Sequence, residues 1–469
     1  MFDCFDYRSH GLQLVQGHSI LTEVHSDDDG VTDWRKWPDR LYHAARVGIL
    51  AMHIRSKLSK KLFVALLALG CMLTLPALSH AQTAPQYKFD PNWPKLPLPN
   101  KWWMMGVTGL AVDKDDNVWV LDRPNDIDGT QNYAQLSPPT AECCIAPPSM
   151  IHFDKDGNVI GSFNPPEGHG MAVDSKGFVY IGNSVSGMNT VRKYDPRTGE
   201  VLAEVPRVPE NQPAGSGGEG AQEVPSNAPG GPGPVAGLRA GRGGNNLDPA
   251  ARAAAIAAFR AKYPPTTPMI VGQIEEVRLD EAAHELYCAD SYLGGRVMVF
   301  DLDTFAFKRG WGAYGHKLSE ITTDDKDRKY TPGGPEPKEF RNHLTLQISK
   351  DGLVYAADRG ANRIDVTTKE GEFVKEFTLA PETGNRGSAG GVAFSADPEQ
   401  RFLFISDISN NTVWILNRKD GKVLGRIGSA GDYGGQFHGL HMIATDSKGN
   451  IYTGEVQAGE RVQKFVPVK

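Results

Sequence analysis

The sequence predicts an all-β fold, a six-bladed β-propeller, on three observations. First, one pattern occurs six times: a short apolar strand, a turn containing Asp, Asn or Gly, and a second strand of β-branched and aromatic residues. Second, most copies continue into a third and a fourth strand at a repeat of about forty residues, which is typical of propeller blades. Third, these stretches have almost no 3.6-residue apolar periodicity, which excludes a helical repeat.

The clearest copy spans residues 167–183, where strands at 171–173 and 178–181 flank the turn at 174–177. The six strand–turn–strand units occupy residues 109–120, 171–181, 277–287, 344–355, 391–404 and 441–452. Outer strands are expected at 190–194, 201–205, 363–366, 373–377, 412–416 and 423–427. The last blade supplies three strands, the third at 461–466. We therefore expect residues 87–89 to pair with it and close the ring, which hides the edges of an open sheet.

The segment before the propeller has the features of a secretory signal peptide. Residues 52–61 are basic, residues 62–75 are almost wholly apolar, and the small residues Ser79 and Ala81 precede a cleavage point. Residues 52–81 are therefore predicted to be a signal peptide, with residues 1–51 an extension upstream of the true start at Met52. The alternative is a genuine cytoplasmic extension before a signal anchor. The mature chain, residues 82–469, is expected to be secreted or periplasmic and not membrane-bound.

Residues 206–268 interrupt the repeats between blades two and three. Residues 211–246 are rich in Gly, Pro, Ala and Ser and are expected to be flexible. The Gly-rich run is not a phosphate loop, because no strand precedes it and no Gly-Lys-Ser/Thr follows. Asp248 and Pro249 predict the start of a helix over 250–262. We interpret the segment as an insertion over one face of the propeller and expect the blades to fold without it.

Charge and cysteine content exclude some partners and ligands. The net charge of −6 gives no reason to expect nucleic acid or an anionic membrane as partner. Removal of residues 1–81 would leave Cys143, Cys144 and Cys288, an odd number in which no Cys-x-x-Cys spacing suggests a metal site. Their redox state and the oligomeric state are left open, with a monomer expected.

Three histidines occupy similar positions in alternate blades. His169, His343 and His441 each lie eight or nine residues before the turn glycine of their blade, where the first strand begins to line the central channel. Histidines in alternate blades of a six-fold ring lie about 120° apart and point at its axis. A catalytic zinc site typically has three protein ligands, such as three histidines, and a fourth coordination position that is open to water or substrate. Gly109, Glu275 and Gly390 take the matching positions in the other blades.

A second set of residues follows the second strand of three blades. Arg123 follows Asp122, Arg359 follows Asp358, and Tyr292 follows Asp290 and Ser291. These loops open at the same face as the histidines. Arginine binds a carboxylate through two parallel hydrogen bonds. The two arginines and the tyrosine therefore suit a small-molecule or peptide substrate that carries a carboxylate.

With these residues the chain resembles the peptidyl-α-hydroxyglycine α-amidating lyases, which are six-bladed propellers with NHL-type repeats. The resemblance runs from about residue 85 to the end, apart from the insertion. It implies that zinc is held by His169 in Gly-His-Gly, His343 in Asn-His-Leu and His441 in Leu-His-Met. It further implies a catalytic Tyr292 and active-site Arg123 and Arg359. The implied reaction cleaves the N–Cα bond of an α-hydroxyglycine to give an amide and glyoxylate.

The resemblance is incomplete, and two other functions stay open. Gly439 and Met442 stand where the family has Met and Asp, which weakens the case for the family's nearby calcium, and the cysteines do not match its disulfides. One alternative is a non-catalytic NHL-type propeller that binds protein or peptide partners. The other is a different metal-dependent propeller hydrolase, for which Glu275 or Glu276 offers the only acid at the level of the histidines. The natural substrate, and whether it is a peptide, is left open.

Overall fold

Six four-stranded antiparallel sheets make up the propeller. The computed structural model describes residues 83–126, 145–183, 189–213, 248–384, 386–456 and 459–468. Within them lie the strands β1 to β24 and one α-helix, α1 (Pro249–Lys262). The innermost strands of neighbouring blades touch all the way round the ring, including blade six against blade one. The all-β, six-bladed prediction is confirmed.

The strands follow the chain order, blade by blade. The first strand is β1 (Tyr87–Phe89). Blade one contains β2 (Gly106–Val112), β3 (Val118–Arg123), β4 (Met150–Phe153) and β5 (Val159–Phe163), and blade two β6 (Gly168–Val173), β7 (Val179–Asn183), β8 (Thr190–Asp195) and β9 (Glu200–Glu204). Blade three contains β10 (Gln273–Asp280), β11 (Glu285–Ser291), β12 (Arg296–Asp301) and β13 (Phe307–Trp311), and blade four β14 (Leu344–Ile348), β15 (Leu353–Asp358), β16 (Arg363–Thr368) and β17 (Phe373–Thr378). Blade five contains β18 (Val392–Phe394), β19 (Phe402–Asp407), β20 (Thr412–Asn417) and β21 (Val423–Ile427), and blade six β22 (Leu440–Thr445), β23 (Ile451–Glu455) and β24 (Val462–Pro467).

In blades one, two and six, the inner hairpin is fixed by an aspartate that directly follows the first strand. In blade two, one carboxylate oxygen of Asp174 accepts hydrogen bonds from the backbone N–H groups of Lys176 at 3.0 Å and Phe178 at 2.9 Å. Asp446 makes the same pair of bonds in blade six. Such turns let the side chain satisfy backbone donors that the tight reversal leaves unpaired. This is why the repeated Asp in the sequence located the hairpins.

The blades are joined by apolar layers made of side chains from both neighbours. Between blades two and three, for example, Tyr180 and Val191 pack with Val277, Cys288 and Phe300, all fully buried. Cys288 is unpaired, and burial raises the pKa of its thiol, so it behaves as a core residue. Cys143 and Cys144 lie outside the described residues.

The ring is closed by the two ends of the propeller sequence, as predicted. Strand β1 pairs antiparallel with β24, so that Tyr87 lies opposite Pro467 and Phe89 opposite Phe465. It supplies the fourth strand of blade six, which then has the order β22-β23-β24-β1. The closing pair covers an edge that would otherwise present unpaired backbone groups.

The helix predicted in the insertion is also confirmed. Asp248 caps α1 by accepting a hydrogen bond from the N–H of Ala251 at 3.2 Å, and Pro249 occupies its first turn. Residues 214–247, which form most of the Gly-rich stretch, lie outside the described residues. So do the expected upstream extension, 1–51, and signal peptide, 52–81. In the part of the chain that is described, no helix is long and apolar enough to cross a membrane.

Candidate metal centre

The three histidines lie where β-bulges or strand ends turn a side chain toward the axis. In β6, His169 and Gly170 together lie opposite the single residue Gly182. In β22, His441 is the residue that has no partner in the neighbouring strand. His343 directly precedes β14, and its carbonyl oxygen accepts a hydrogen bond from the N–H of Arg359 at 3.1 Å. Bulges re-aim side chains locally without ending the sheet, and they are frequent beside functional sites.

Side-chain hydroxyl groups join neighbouring blades at this level. Thr108 Oγ1 donates to the carbonyl oxygen of Gly168 at 2.7 Å, beside His169. Ser406 Oγ donates to the carbonyl oxygen of His441 at 2.7 Å. Each bond joins one blade to the next, so the backbone beside two of the histidines is fixed by a neighbouring blade.

The imidazole rings converge on one point in the channel. His169, His343 and His441 are 3%, 2% and 5% exposed, and their candidate donor atoms all lie within 4.8 Å of one another. Nε2 of His169 lies 2.7 Å from Nε2 of His441 and 3.4 Å from Nε2 of His343. Nitrogen donors about 2.0–2.1 Å from a tetrahedral zinc ion would lie about 3.3 Å apart. The spacing fits three donors to one metal ion after a small adjustment at His441.

The protonation of His169 favours this use. Its Nδ1 lies 2.7 Å from the carbonyl oxygen of Glu275, and because a carbonyl oxygen only accepts, Nδ1 carries the proton. Nε2 is thus the nitrogen that faces the centre of the tripod, by which we mean His169, His343 and His441. A hydrogen bond from the remote ring nitrogen is the usual support of a metal-bound histidine.

A buried carboxylate adjoins the tripod. Glu275 is the bulged residue of β10, and its Oε2 lies 3.0 Å from Nε2 of both His169 and His343. At 3.0 Å this oxygen is within hydrogen-bonding distance of both rings, and it has no other partner among the described residues. Burial would raise the pKa of Glu275, but attraction to His169 and His343 holds it well below its usual range. A buried carboxylate beside three imidazole rings is an environment that favours a cation.

At the other two histidines, burial favours the neutral form. Burial, with the nearby Arg359 guanidinium, lowers the pKa of His343 to about 4. Burial and the neighbouring His169 hold the pKa of His441 well below its ordinary value. Neutral imidazole is the form that binds a metal ion. The residues present therefore fit a metal ion in donor type, burial and charge.

The predicted catalytic residues lie around the same end of the channel, at different depths. Arg359 is 2% exposed and close enough to His343 and His441 to influence both. Arg123 is half-buried, and its Nε donates to the carbonyl oxygen of Gly168, next to His169, at 3.3 Å. Tyr292 is buried and has a positive φ of 54°, and its N–H donates to the carbonyl oxygen of Asn342, next to His343, at 3.1 Å.

The acids that precede these residues are structural. Asp122 accepts from the N–H of Met105 at 2.8 Å, and Asp290 from the N–H groups of Val271 and Gly272. Asp358 accepts from the N–H of Arg341 at 3.1 Å. In each blade the carboxylate ties the incoming chain to the end of the second strand.

Sequence spacing missed two details of the ring. In blade one the bulged residue is Thr108, while Gly109 pairs regularly with Leu121, so the matching position lies one residue earlier than predicted. The turn residue with positive φ in this blade is Asp116, eight residues after Thr108, just as Gly177 lies eight residues after His169. The contact between the Glu275 carboxylate and the tripod was also not predicted, because the sequence position of Glu275 does not show where its side chain points.

Comparison with known proteins adds little to this geometry. No protein-family model matches the chain, and no curated protein matches it. One similar solved structure is a structural genomics protein of unknown function from Bacteroides thetaiotaomicron VPI-5482. It is 15% identical to this chain, with a TM-score of 0.46 over 78% of this chain and 70% of the other. The functional argument therefore rests on the residues of the site.

Proposed function

We propose that this chain is an exported, zinc-dependent lyase that cleaves the N–Cα bond of an α-hydroxyglycine, like the NHL-type amidating lyases that it resembles. One observation carries the proposal. Three buried histidines from alternate blades bring candidate donors within 4.8 Å of one another, and Arg123 and Tyr292 hydrogen-bond the backbone next to His169 and His343. That combination offers a metal site, a proton acceptor and two groups for an anion in one place.

The chain's own residues have distinct tasks in this reaction. Zinc, held by His169, His343 and His441, would lower the pKa of the substrate hydroxyl. Tyr292 would accept the hydroxyl proton as the C=O bond of glyoxylate forms. The N–Cα bond then breaks, and its electron pair leaves with the amide nitrogen, which takes up a proton.

Tyr292 shares a cavity with several cationic side chains. Arg252, Arg328 and Arg341 line the same cavity as Tyr292. Nearby cations favour a phenolate over a neutral phenol, as a general base of this type requires. Arg123 and Arg359 would hold the carboxylate that leaves as glyoxylate, Arg359 from within the channel and Arg123 from its mouth.

Two variants test the assignment. His441→Ala should lose most of the zinc measured by metal analysis, while the protein stays folded. Tyr292→Phe should keep the zinc and lose about 10²–10⁴-fold in the rate of glyoxylate release from an N-acyl-α-hydroxyglycine. His438→Ala and Tyr433→Phe are matched controls, because both side chains are exposed and lie outside the tripod. Neither control should change metal content or rate.

The position of Glu275 supports a second candidate, a metal-dependent hydrolase. A carboxylate 3.0 Å from two of the histidine donors could activate a water molecule. In that case the wild-type protein would hold zinc, release no glyoxylate, and hydrolyse esters or lactones in a manner abolished by Glu275→Gln. Wild-type protein that binds no metal would contradict both enzymes and leave the non-catalytic binding module.

A further inference from the structure

A cleft lies beside the channel mouth, between α1 and the chain that leads into His343. Its volume is about 350 Å³, within the range of about 300–1,000 Å³ that is usual for small-molecule sites. Tyr292 and Leu293 form part of its lining. The cleft therefore includes the residue proposed as the base.

One wall of the cleft is a face of α1. Arg252, Ile256 and Arg260 recur every four residues and so share one side of the helix. The helix is held in place by Phe259, which packs with Val208, Val271 and Leu293 in a small apolar cluster. The insertion thus positions charged side chains over the mouth of the propeller.

The opposite wall is continuous with the metal centre. It includes Arg341 and Asn342, which directly precede His343. Arg341 donates to the carbonyl oxygen of Gly360 at 2.6 Å, one residue beyond Arg359. A ligand in the cleft would therefore contact the same chain segments that carry the site.

Positive charge dominates the described lining. Five of the ten lining residues are cationic, and the only acid among them, Asp325, is bound to Arg260 at 2.7 Å. The cationic residues are Arg252, Arg260, Arg328, Lys329 and Arg341. Two acids lie close by outside the lining: Asp358 pairs with Arg363 at 3.0 Å, and Glu339 accepts from the N–H of Thr322 at 3.0 Å through one oxygen, while its other oxygen has no partner among the described residues.

Arg328 shows that the positive charge is built into the fold. Its side chain is 6% exposed and donates to the carbonyl oxygens of Phe340 at 2.6 Å and Thr322 at 3.0 Å, yet its Nε has no partner among the described residues. Gly295 makes room for it, because a Cβ there would collide with the guanidinium. Burial and the charge of Arg260 lower the pKa of Arg328. A bound anion would offset the repulsion between the positive charges of Arg328 and Arg260.

We propose that this cationic cleft, the cavity bounded by α1, Tyr292 and residues 325–342, binds the carboxylates of an acidic peptide-like ligand. Guanidinium groups match carboxylate oxygens in pairs, and several of them in one cavity select a ligand with more than one carboxylate. If the proposed function holds, the ligand is the substrate, with its reacting end at Tyr292 and its acidic portion along α1. Binding itself does not depend on the reaction.

The test is equilibrium binding of N-acetyl-triglutamate to the purified protein, measured by isothermal titration calorimetry. Binding is expected at low ionic strength and should largely disappear at about 1 M salt, where the Debye length is about 3 Å. The double variant Arg252→Gln, Lys329→Gln should raise the Kd at least about ten-fold through the loss of charge-assisted hydrogen bonds. Lys422→Gln, at an exposed turn of blade five, should leave the Kd unchanged.

Three results would overturn the proposal. They are an unchanged Kd in a double variant with wild-type melting temperature, equal affinity for N-acetyl-triglutamine, and binding of inorganic phosphate in place of the triglutamate. Glyoxylate release by the same wild-type preparation separates the two proposals. Triglutamate binding without glyoxylate release would support the cleft and contradict the lyase, and the reverse result would do the opposite.

Discussion

Gly170 determines how closely blades two and three approach beside the tripod. It has a φ of +70°, and a Cβ there would lie 2.5 Å from Cα and 2.9 Å from N of Glu276, and 2.8 Å from the carbonyl oxygen of Glu275. That oxygen is the one that fixes His169 through Nδ1. Only a glycine allows both the left-handed backbone and this close approach.

We expect Gly170→Ala to destabilise the protein by about 2–5 kcal/mol, from backbone strain together with overpacking. It should also weaken zinc binding, because it separates His169 from Glu275. Gly177→Ala is the matched control: its φ of +86° is similar, but no atom lies within 4 Å of the added Cβ. Its cost should be about 1–2 kcal/mol, without loss of zinc. Denaturant unfolding and metal analysis of the two variants check this, and equal losses would contradict it.

For single residues, the positions of the histidines could be predicted from the sequence, but the backbone geometry around them could not. His169, His343 and His441 could be placed because each lies at a nearly constant distance from a turn that Asp and Gly reveal. The bulges at Thr108 and Glu275 could not, because a bulge depends on how two strands pair and leaves no composition signal. The catalytic roles of Arg123, Tyr292 and Arg359 stay predictions.

Among the elements, α1 depends most on contacts that the sequence does not reveal. Its limits follow from Asp248 and Pro249, so the helix could be predicted. Its docking could not, because the partners come from blade three. Arg296 is fully buried, pairs with Asp290 at 2.9 Å, and donates to carbonyl oxygens that include those of Thr267 and Met269. The end of the insertion thus completes the hydrogen bonding of a buried ion pair.

This finding changes the expectation that the whole insertion can be removed. Replacing residues 206–268 by a short Gly-Ser link would strip carbonyl partners from Arg296 and remove Phe259 from its cluster. We expect a loss of about 3–5 kcal/mol, which is typical when a buried charge loses its partners. Deleting only residues 214–247 keeps every described contact of α1 and should shift the melting temperature by only about a few degrees.

Thermal unfolding of the two deletion variants, side by side, checks this. A cooperative transition at the wild-type temperature in the larger deletion would show that α1 is dispensable for the propeller. A collapse of both variants would show that residues 214–247 contribute to the fold. Loss of triglutamate binding in the larger deletion alone would agree with the role of α1 in the cationic cleft.

For the molecule as a whole, the ring could be predicted because each blade repeats the same local pattern. The number of blades follows from counting copies, and the closure by residues 87–89 follows from the three strands of the last blade. The cationic cleft could not be predicted, because it joins α1 to residues 325–342, which are distant in sequence. A repeated sequence pattern predicts how neighbouring strands pair, because each copy can be compared with the others. An insertion occurs once, so its contacts cannot be predicted in this way.

The last prediction concerns the closing strand. Tyr87 packs edge-on against Phe404, with ring centroids 5.7 Å apart, and Phe89 packs against Phe465 at 6.2 Å. A chain that begins at Asp90 would lose both rings and expose the edge of β24. We expect it to be about 3 kcal/mol or more less stable than a chain that begins at Gln82, and to self-associate through the open edge.

Melting temperature and light scattering of the two chains measure these effects. The full-length double variant Tyr87→Ala, Phe89→Ala provides a second test that does not depend on the folding of a truncated chain, because the strand remains and only its packing is lost. A synthetic peptide of residues 83–91 should bind the open edge of the Asp90 chain by strand addition and raise its melting temperature. Equal stability of the two chains, with no response to the peptide, would mean that the ring is held by its inner strands alone. In that case β1 would be an accessory strand and not the closure of the propeller.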